Sequence, residues 1–316
     1  MSLAPIVLFV YNRPEHTLKT LEALMQNELA EKSELFIFCD GPKADATKQD
    51  QERINKVREL VKKKNWCKKV TIRESQVNKG LADSIVAGVT EIVSIYGKII
   101  VLEDDIVTSK GFLKYMNDAL NLYEQEDKVM HIGSYLPYTN SHKKLPNTFF
   151  SRFMSCWGWA TWKASWQIAN LDARELYEQL KNPKVRYEFN LEGVLNFHEQ
   201  LENNINSSIN TWAIKWFASI FLCNGLCLYP SHSLSKNIGF DGTGENCDII
   251  DIKEREGRRD FINVAKIKIE ESSIGKQYLK RYYKYGNDSG FEKRFKQKFF
   301  DFRYHLIKRI KRIKIN

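Results

Sequence analysis

The first third of the chain alternates short apolar runs with longer amphipathic stretches, and it does so four times. The apolar runs, rich in β-branched residues, cover residues 6–10, 35–39, 70–72 and 99–102. Between them, apolar side chains recur at helical spacing, as they do after Pro14. Because such βα repeats bury their strands on both faces, the pattern predicts an α/β fold with a mostly parallel central sheet flanked by helices.

A polar segment follows each of the four predicted strands. These segments are residues 11–13, 40–42, 74–80 and 103–105. Ligands of parallel α/β sheets bind outside the carboxyl ends of the strands. We therefore expect the four segments to converge on one binding site.

The last of these segments contains three adjacent carboxylates, Glu103, Asp104 and Asp105. Adjacent acids at the end of a buried strand repel one another and resist desolvation. Their oxygens suit Mg²⁺ or Mn²⁺, which proteins hold with one or two carboxylates plus substrate phosphates. A solvated turn before the next helix is the alternative, and the convergence of the four segments favours the metal site.

The other strand ends supply candidate nucleotide-binding residues, each with a plainer alternative. Asp40 offers a hydrogen-bond acceptor to a base or ribose, or it simply belongs to an Asp-Gly turn. Arg13, preceded by Asn12, is placed to pair with a diphosphate, or it is an ordinary surface arginine. Lys79 and Gly80 precede a predicted helix whose N-terminus attracts anions, although the glycine also suits a turn.

Four of the seven tryptophans, Trp157, Trp159, Trp162 and Trp166, lie within ten residues of one another. Indole faces stack well on the apolar faces of sugars. A small hydrophobic core beneath a loop is the alternative, and the two roles are compatible. The surrounding stretch, residues 130–170, is aromatic-rich without a clear period, and we expect irregular structure there.

The segment 232–246 is rich in glycine and polar residues and is predicted to be a loop. Its residues 239–246 resemble a backbone nest for phosphate or a mobile lid. His232, at its start, is either structural or a further metal ligand. Elsewhere the pattern predicts helices over 110–125 and 211–223, partial helix over 171–204 and a strand over 226–229.

Composition adds limits of a general kind. The 316 residues are 43% hydrophobic, and no apolar run approaches the roughly 18 residues that a membrane-spanning helix needs. Residues 1–3 do not resemble the start of a signal peptide. Six cysteines without a Cys-x-x-Cys pair suggest neither a zinc site nor a dense disulfide framework, so we expect reduced thiols in a cytoplasm.

The formal charge of +10 is concentrated at the C-terminal end. Residues 291–316 hold ten Lys or Arg against two acids, which leaves the body near neutral. Apolar residues recur from Phe291 to Ile313 at spacings of three and four, with basic residues between them. This pattern predicts a basic amphipathic helix on an anionic membrane surface. Packing on the body is an alternative, and nucleic-acid binding is least favoured because the body supplies no matching basic surface.

Taken together, these segments resemble the nucleotide-sugar glycosyltransferases of the GT-A fold, whose central sheet is Rossmann-like. The residues that carry the resemblance are 7–14, 40–42, 78–81 and 101–105. The Glu-Asp-Asp form of the Asp-x-Asp motif is most similar to the N-acetylglucosaminyltransferase I type. Two further segments are similar to bacterial family 2-like sugar transferases of polysaccharide loci, residues 157–162 and 237–240. The resemblance covers roughly residues 4–247.

The resemblance implies transfer of a sugar, hexosyl or N-acetylhexosaminyl, from a nucleotide-diphosphate sugar to a saccharide or lipid-linked acceptor, with inversion. It implies that Asp105 coordinates Mn²⁺ or Mg²⁺ on the donor diphosphate and that the metal stabilises this leaving group. Glu103 and Asp104 would contact the ribose or metal-bound water. The donor-binding set is completed by residues of the other strand ends, Asn12, Arg13, Asp40, Lys79 and Gly80.

The chain departs from the resemblance at one position. Related chains tend to place an aspartate beside the tryptophan that begins the helix at 211–223, whereas this chain has Ala213 next to Trp212. The catalytic base is then elsewhere, or activity is altered or lost. Asp241 and Glu245 are the candidates, and we predict Asp241.

We predict a glycosyltransferase domain over 4–250, with a nucleotide-binding half at 4–125, an acceptor half at 126–250, and a helical extension at 251–316. The expected location is a bacterial cytoplasm, at the inner membrane, in surface polysaccharide synthesis. One alternative is a sugar-nucleotide nucleotidyltransferase, although the Gly-rich basic loop usual after its first strand is missing. The other is a catalytically inactive, membrane-associated protein that binds nucleotide sugars.

Overall fold

The computed structural model describes residues 2–139, 142–242 and 260–285. The strands within these ranges are β1 (Ile6–Val10), β2 (Glu34–Cys39), β3 (Lys69–Glu74), β4 (Lys98–Glu103), β5 (Ile106–Thr108), β6 (Val129–Gly133), β7 (Thr148–Ser151), β8 (Trp159–Trp162), β9 (Leu226–Pro230) and β10 (Ser235–Asn237). The helices are α1 (Pro14–Met25), α2 (Lys48–Lys62), α3 (Leu81–Tyr96), α4 (Phe112–Leu122), α5 (Lys163–Gln167), α6 (Ala173–Gln179), α7 (Pro183–Phe189), α8 (Phe197–Ile205), α9 (Ala213–Leu222) and α10 (Ser273–Tyr285).

Eight of these strands form one sheet in the order β3-β2-β1-β4-β8-β6-β9-β7. The first four, β3, β2, β1 and β4, pair in parallel. Strand β8 runs antiparallel to both of its neighbours and β7 runs antiparallel to β9, whereas β6 and β9 are parallel. Most strands therefore share one direction, and the predicted α/β class with a mostly parallel central sheet flanked by helices is confirmed.

Side chains of β1 alternate between two hydrophobic layers, one on each face of the sheet. Leu8 and Val10 belong to the layer that α1, α2 and α4 cover. Val7 and Phe9 belong to the layer that α3 and α9 cover. Every residue of β1 is buried. The polar groups that flank this strand therefore lie at its ends.

Two stretches are more regular than their sequences predict. The irregular structure expected over 130–170 is wrong, because β6, β7, β8 and α5 form there. The predicted loop over 232–246 contains β10, which pairs antiparallel with β5 in a second, two-stranded sheet. In both cases hydrogen bonds to strands far away in the sequence, and not a local period, make the segment a strand.

Residues 260–285, part of the predicted extension, pack against the body. The backbone N–H of Gly111 donates to the carbonyl of Asp260, and that of Ser272 donates to the carbonyl of Phe150, both at 2.8 Å. The predicted amphipathic tail at 291–316 lies outside the described residues, and the division into domains stays a prediction. Of the helices described, none has both the length and the apolarity to cross a bilayer.

Candidate functional site

A cavity of about 280 Å³ opens at the carboxyl ends of β1, β2 and β4. The first turns of α3 and α9 and the loops beside β8 and β10 complete its wall. The predicted site residues that line it are Asn12, Arg13, Asp40, Gly80, Glu103, Asp104 and Asp105. Lys79, His232 and Asp241 are not part of this lining.

The acidic turn, residues 103–105, connects β4 to β5 and carries two buried aspartates. Asp104 and Asp105 are 5% and 6% exposed. The guanidinium of Arg13 lies against both of them. Its Nε and Nη2 atoms donate to Asp104, and Nη2 lies 2.9 Å from Asp105 Oδ2. One arginine therefore neutralises part of the charge of a turn that holds three acids.

The charges of the acidic turn are poorly compensated. Burial, with the charges of Asp105 and Asp104, raises the pKa of Glu103 to about 8. Burial also raises the pKa of Asp104 to about 6, although the charge of Arg13 opposes the shift. Burial by itself lowers the pKa of Arg13, but attraction by the two aspartates outweighs it and raises that pKa overall. A cation with more positive charge than one guanidinium would match these acids better.

The donor set of the acidic turn fits Mg²⁺ or Mn²⁺ held jointly with a substrate. Within the described ranges, no three His, Cys, Asp or Glu side chains are grouped as a complete metal site. These ions are commonly held by one or two carboxylates together with substrate phosphates, and Asp104 and Asp105 suit that mode. The guanidinium of Arg13 already places a cation against both carboxylates, so a positive group fits between them.

Asp40 holds the turn that precedes α3. Its Oδ1 accepts hydrogen bonds from the backbone N–H groups of Gly41 and Lys79, at 2.8 and 2.9 Å. Its Oδ2 accepts from Asn78 Nδ2 at 3.1 Å and from the N–H of Gly80 at 3.0 Å. Two bonds to each oxygen fill the acceptor positions of a carboxylate. In this structure Asp40 shapes the loop on the cavity wall.

The N-terminus of α3 forms one side of the cavity. Gly80 has a φ of 80° there, a left-handed conformation that glycine adopts without steric cost. Leu81 and Ala82 follow it on the wall, where the N–H groups of a first helical turn attract anions. The contribution of Lys79 is its backbone N–H, because its side chain is exposed outside the lining.

The loop after β10 covers the acidic turn with backbone. A Cβ atom on Gly239 would lie 2.2 Å from Asp105 Oδ2 and 3.0 Å from Arg13 Nη1, so this position requires glycine. Asn237 Oδ1 accepts from the N–H of Gly239 at 2.7 Å and holds the bend. The predicted phosphate nest thus begins beside the acids, while residues 243–246 lie outside the described residues.

The tryptophan-rich segment divides between the cavity wall and the core. Trp157 lines the cavity and packs against Phe240, with ring centroids 5.4 Å apart. Trp159, Trp162 and Trp166 are buried, and the first and last of them pack on the tryptophans at the start of α9 and within it. Stacking on a sugar therefore stays open for Trp157, and the other three form core.

Ala213 lies on the cavity wall at the start of α9, at the position where the resemblance leads one to expect an aspartate. Asp241, the predicted base, pairs elsewhere: its Oδ2 lies 3.1 Å from His16 Nε2 in α1. His232 shares a hydrogen bond of 3.0 Å with the neighbouring serine hydroxyl. The structure brings neither Asp241 nor His232 to the cavity, whose described lining takes its carboxylates from the ends of β2 and β4.

The wall that faces the strand ends includes residues not expected from the sequence. Gln200 in α8, Asn210 before α9, and Cys156 all line it. Asn210 Nδ2 donates to Asp83 Oδ1 at 3.3 Å, which ties the start of α9 to α3. The predicted helix start near Asn210 was a usable signal for that residue, since helix N-termini often face ligands. Gln200 sits in an ordinary amphipathic pattern that carries no such signal.

Comparison with known proteins adds little to this geometry. No protein-family model matches the chain, and no curated protein does. Among solved structures, TarS of S. aureus is similar to part of the chain, with 15% sequence identity and a TM-score of 0.30. The similarity covers 43% of this chain and 23% of TarS, so the matched part spans less than a quarter of that protein. We draw no functional conclusion from so partial a likeness.

Proposed function

We propose that this protein is a metal-dependent glycosyltransferase that uses a nucleotide-diphosphate sugar as donor. The observation that supports this most is the convergence of the buried acidic turn, Arg13 and the N-terminus of α3 on one cavity. A diphosphate is recognised by such groups, because a guanidinium and a helix N-terminus bind phosphate oxygens and carboxylates hold the accompanying cation.

In this proposal each part of the wall has a distinct task. Asp104 and Asp105 hold Mn²⁺ or Mg²⁺, and Arg13 with the first turn of α3 binds the donor phosphates. The metal, when bound, supplies Lewis-acid stabilisation of the leaving diphosphate. Trp157 offers an apolar face to the donor sugar. The acceptor is a saccharide or lipid-linked saccharide, and a hexosyl or N-acetylhexosaminyl group is transferred with inversion.

Calorimetric titration tests the donor site directly. Nucleoside diphosphates (UDP, GDP, ADP, CDP and dTDP) are titrated into the protein with and without Mn²⁺. We expect one of them to bind in a Mn²⁺-dependent manner, and Asp105→Asn to abolish that dependence while keeping the size of the side chain. Asp45→Asn, which changes an exposed aspartate, is the matched control. If the wild type binds the nucleoside diphosphate equally well with and without Mn²⁺, the metal site is refuted.

A catalytically inactive binding protein is the second candidate, and Ala213 is the observation that favours it. The cavity wall lacks a carboxylate at that position. If the protein only binds the donor, nucleotide sugar binds without hydrolysis or transfer. Ala213→Asp would then introduce donor hydrolysis that the wild type lacks. Transfer by the wild type to any saccharide acceptor excludes this candidate.

No feature of the cavity favours a nucleotidyltransferase, since Pro14 begins α1 directly after β1 and its short polar segment.

The membrane part of the proposal rests on residues 291–316 and on their charge, ten Lys or Arg against two acids. We propose that this segment places the enzyme at the cytoplasmic face of a bacterial inner membrane, where surface polysaccharides are made. The full-length protein is expected to sediment with vesicles containing anionic lipid and to stay in the supernatant with neutral vesicles. A chain ending at residue 290 should lose the sedimentation, and its full retention would contradict the proposal.

A further inference from the structure

Arg13 has two candidate partners in the same cavity. It is the arginine placed to bind a donor diphosphate, and it is also bound to both candidate metal ligands. One of its atoms, Nη2, donates to both aspartates, and it lies 2.9 Å from Asp105 Oδ2. With Nε and Nη2 engaged by the two aspartates, only Nη1 is left to donate to a phosphate group, and the paired N–H edge that binds phosphate best is already in use. The two roles of Arg13 therefore compete with each other.

The bridge also competes with a divalent cation. A metal ion held by Asp104 and Asp105 would share oxygens with Arg13, which donates to both oxygens of Asp104 and to Oδ2 of Asp105. Two positive groups at one buried site repel each other strongly, because charges interact more strongly there than in water. Removing the guanidinium without a replacement would in turn leave buried carboxylates unpaired, which is costly. The acidic turn therefore needs a cation, and Arg13 and a divalent ion compete to supply it.

Hydrogen bonds hold the backbone of Arg13 in place, and its side chain lies on the wall of the cavity. Its carbonyl accepts hydrogen bonds from the N–H of Thr17 at 3.0 Å and from Thr17 Oγ1 at 2.8 Å, which anchors it to the first turn of α1. The side chain beyond this anchor extends along the cavity wall and is 17% exposed. Gly239 covers the pair with backbone only, so no side chain of that residue blocks movement of the guanidinium.

We propose that Arg13 is an internal counter-cation that makes metal binding at Asp104 and Asp105 depend on the donor. The guanidinium holds the two aspartates until the anionic diphosphate draws it away, and a divalent cation then takes its place. This rests on the proposed function, and it adds an order of events that the function alone does not require. It follows that Mn²⁺ alone binds weakly, and that Mn²⁺ and nucleoside diphosphate strengthen each other's binding reciprocally.

The first test uses Mn²⁺ alone and needs no donor. Mn²⁺ affinity is measured by calorimetry and by electron paramagnetic resonance for the wild type, Arg13→Gln and Arg73→Gln. The control removes one positive charge from an exposed arginine that pairs with Glu91. We expect Arg13→Gln to bind Mn²⁺ about tenfold or more tightly than the wild type, because a competing charge is gone, and Arg73→Gln to match the wild type. Equal or weaker binding by Arg13→Gln overturns the proposal.

A second variant covers the case in which Arg13→Gln does not fold. Arg13→Lys keeps the charge but presents a single ammonium that cannot bridge two carboxylates as a planar guanidinium does. We expect it to remain folded by circular dichroism and to bind Mn²⁺ more tightly than the wild type. Wild-type affinity in a folded Arg13→Lys protein overturns the proposal.

The second test measures coupling. The ratio of nucleoside diphosphate affinities with and without Mn²⁺ is expected to be larger in the wild type than in Arg13→Gln, and an equal ratio overturns the donor dependence. The outcomes separate the two proposals. If Arg13→Gln binds Mn²⁺ more tightly and no nucleotide binds, the counter-cation role of Arg13 is supported and the glycosyltransferase proposal is contradicted. If nucleotide binding depends on Mn²⁺ but Arg13→Gln binds Mn²⁺ no more tightly than the wild type, the proposed function is supported and the counter-cation role is contradicted.

Discussion

At the scale of single residues, Asp40 shows how a side chain contributes to a site by shaping it. An aspartate after a β-strand suggests either a nucleotide contact or an Asp-Gly turn. In the structure both oxygens accept two hydrogen bonds each, three from residues 78–80 and one from the N–H of the neighbouring Gly41. The carboxylate thereby sets the position of the N-terminus of α3, which is the proposed phosphate-binding wall.

Asp40→Asn tests this positioning role. An amide replaces one of the two oxygens with a donor, so two of the four N–H groups lose their acceptor. We expect the free energy of unfolding to fall by about 1–3 kcal/mol, measured by urea denaturation, and nucleoside diphosphate binding to weaken with it. Asp45→Asn, at an exposed position, should do neither. Unchanged stability together with lost nucleotide binding would instead mean that Asp40 contacts the ligand directly.

At the scale of elements, the packing of β6 and β8 on α9 depends on a buried histidine. His131 in β6 stacks on Trp159 of β8, with centroids 5.4 Å apart. Its Nε2 lies 3.0 Å from the carbonyl of Ser155, and its Nδ1 accepts from Trp216 Nε1 at 3.3 Å. These partners require a neutral ring with the proton on Nε2. Burial lowers the pKa of His131 to about 3.

The lowered pKa of His131 predicts a pH dependence of stability. Above pH 6.5 the histidine is neutral in both states and adds no dependence. Between pH 6.5 and about 3 the unfolded chain binds a proton that the folded protein does not, so acidification destabilises the fold. From pH 7 to pH 5 the contribution of His131 to the free energy of unfolding should fall by about 2 kcal/mol.

The measurement compares urea denaturation of the wild type with His131→Gln, which keeps one donor and one acceptor but does not titrate. Glu103 and Asp104 titrate near the same range, and taking the difference between the two proteins at each pH removes their effect. We expect the stability of the wild type relative to the variant to decline between pH 7 and pH 5. A constant difference would show that His131 is protonated to the same extent in both states.

At the scale of the whole molecule, residues 260–285 connect elements that lie far apart in the sequence. The segment 260–272 runs from the start of α4 to β7, and α10 then packs on the sheet at Gly275, where a Cβ atom would lie 2.2 Å from the ring of Phe149. The hydroxyl of Tyr278 donates to the carbonyl of Pro137 at 2.7 Å and accepts from the N–H of Thr139 at 2.8 Å. Burial of this kind indicates one cooperative unit with the body.

Tyr278→Phe tests whether α10 unfolds with the rest. Loss of the hydroxyl takes a hydrogen-bond partner from two backbone groups in a buried place, at a cost of about 1–3 kcal/mol. We expect a single unfolding transition at a lower urea concentration. Tyr285 is 60% exposed, and the control Tyr285→Phe should unfold as the wild type does. An unchanged transition, with faster proteolysis confined to α10, would show instead that the helix opens independently of the body.

The periodicity of the first hundred residues was sufficient to predict β1 to β4 and the helices between them, because strand and helix periods are local properties. The placement of Arg13, Gly80 and the acidic turn at one edge followed from the rule that parallel strands end together. The same local reading missed β8, because a strand inserted between β4 and β6 is defined by partners distant in the chain. Its choice of Asp241 as the base stays a prediction, and only the tertiary structure showed that this residue pairs with His16.

The amino-acid sequence by itself determined the fold class and the cluster of acids at the end of β4. The spacing of apolar and charged residues that defines both is a local property of the chain. The tertiary structure alone decided that Arg13 bridges Asp104 and Asp105, that Asp40 is engaged by the loop before α3, and that Ala213 faces the cavity. Side-chain orientation and pairing depend on the packing of elements far apart in the chain. Local patterns carry no record of that packing.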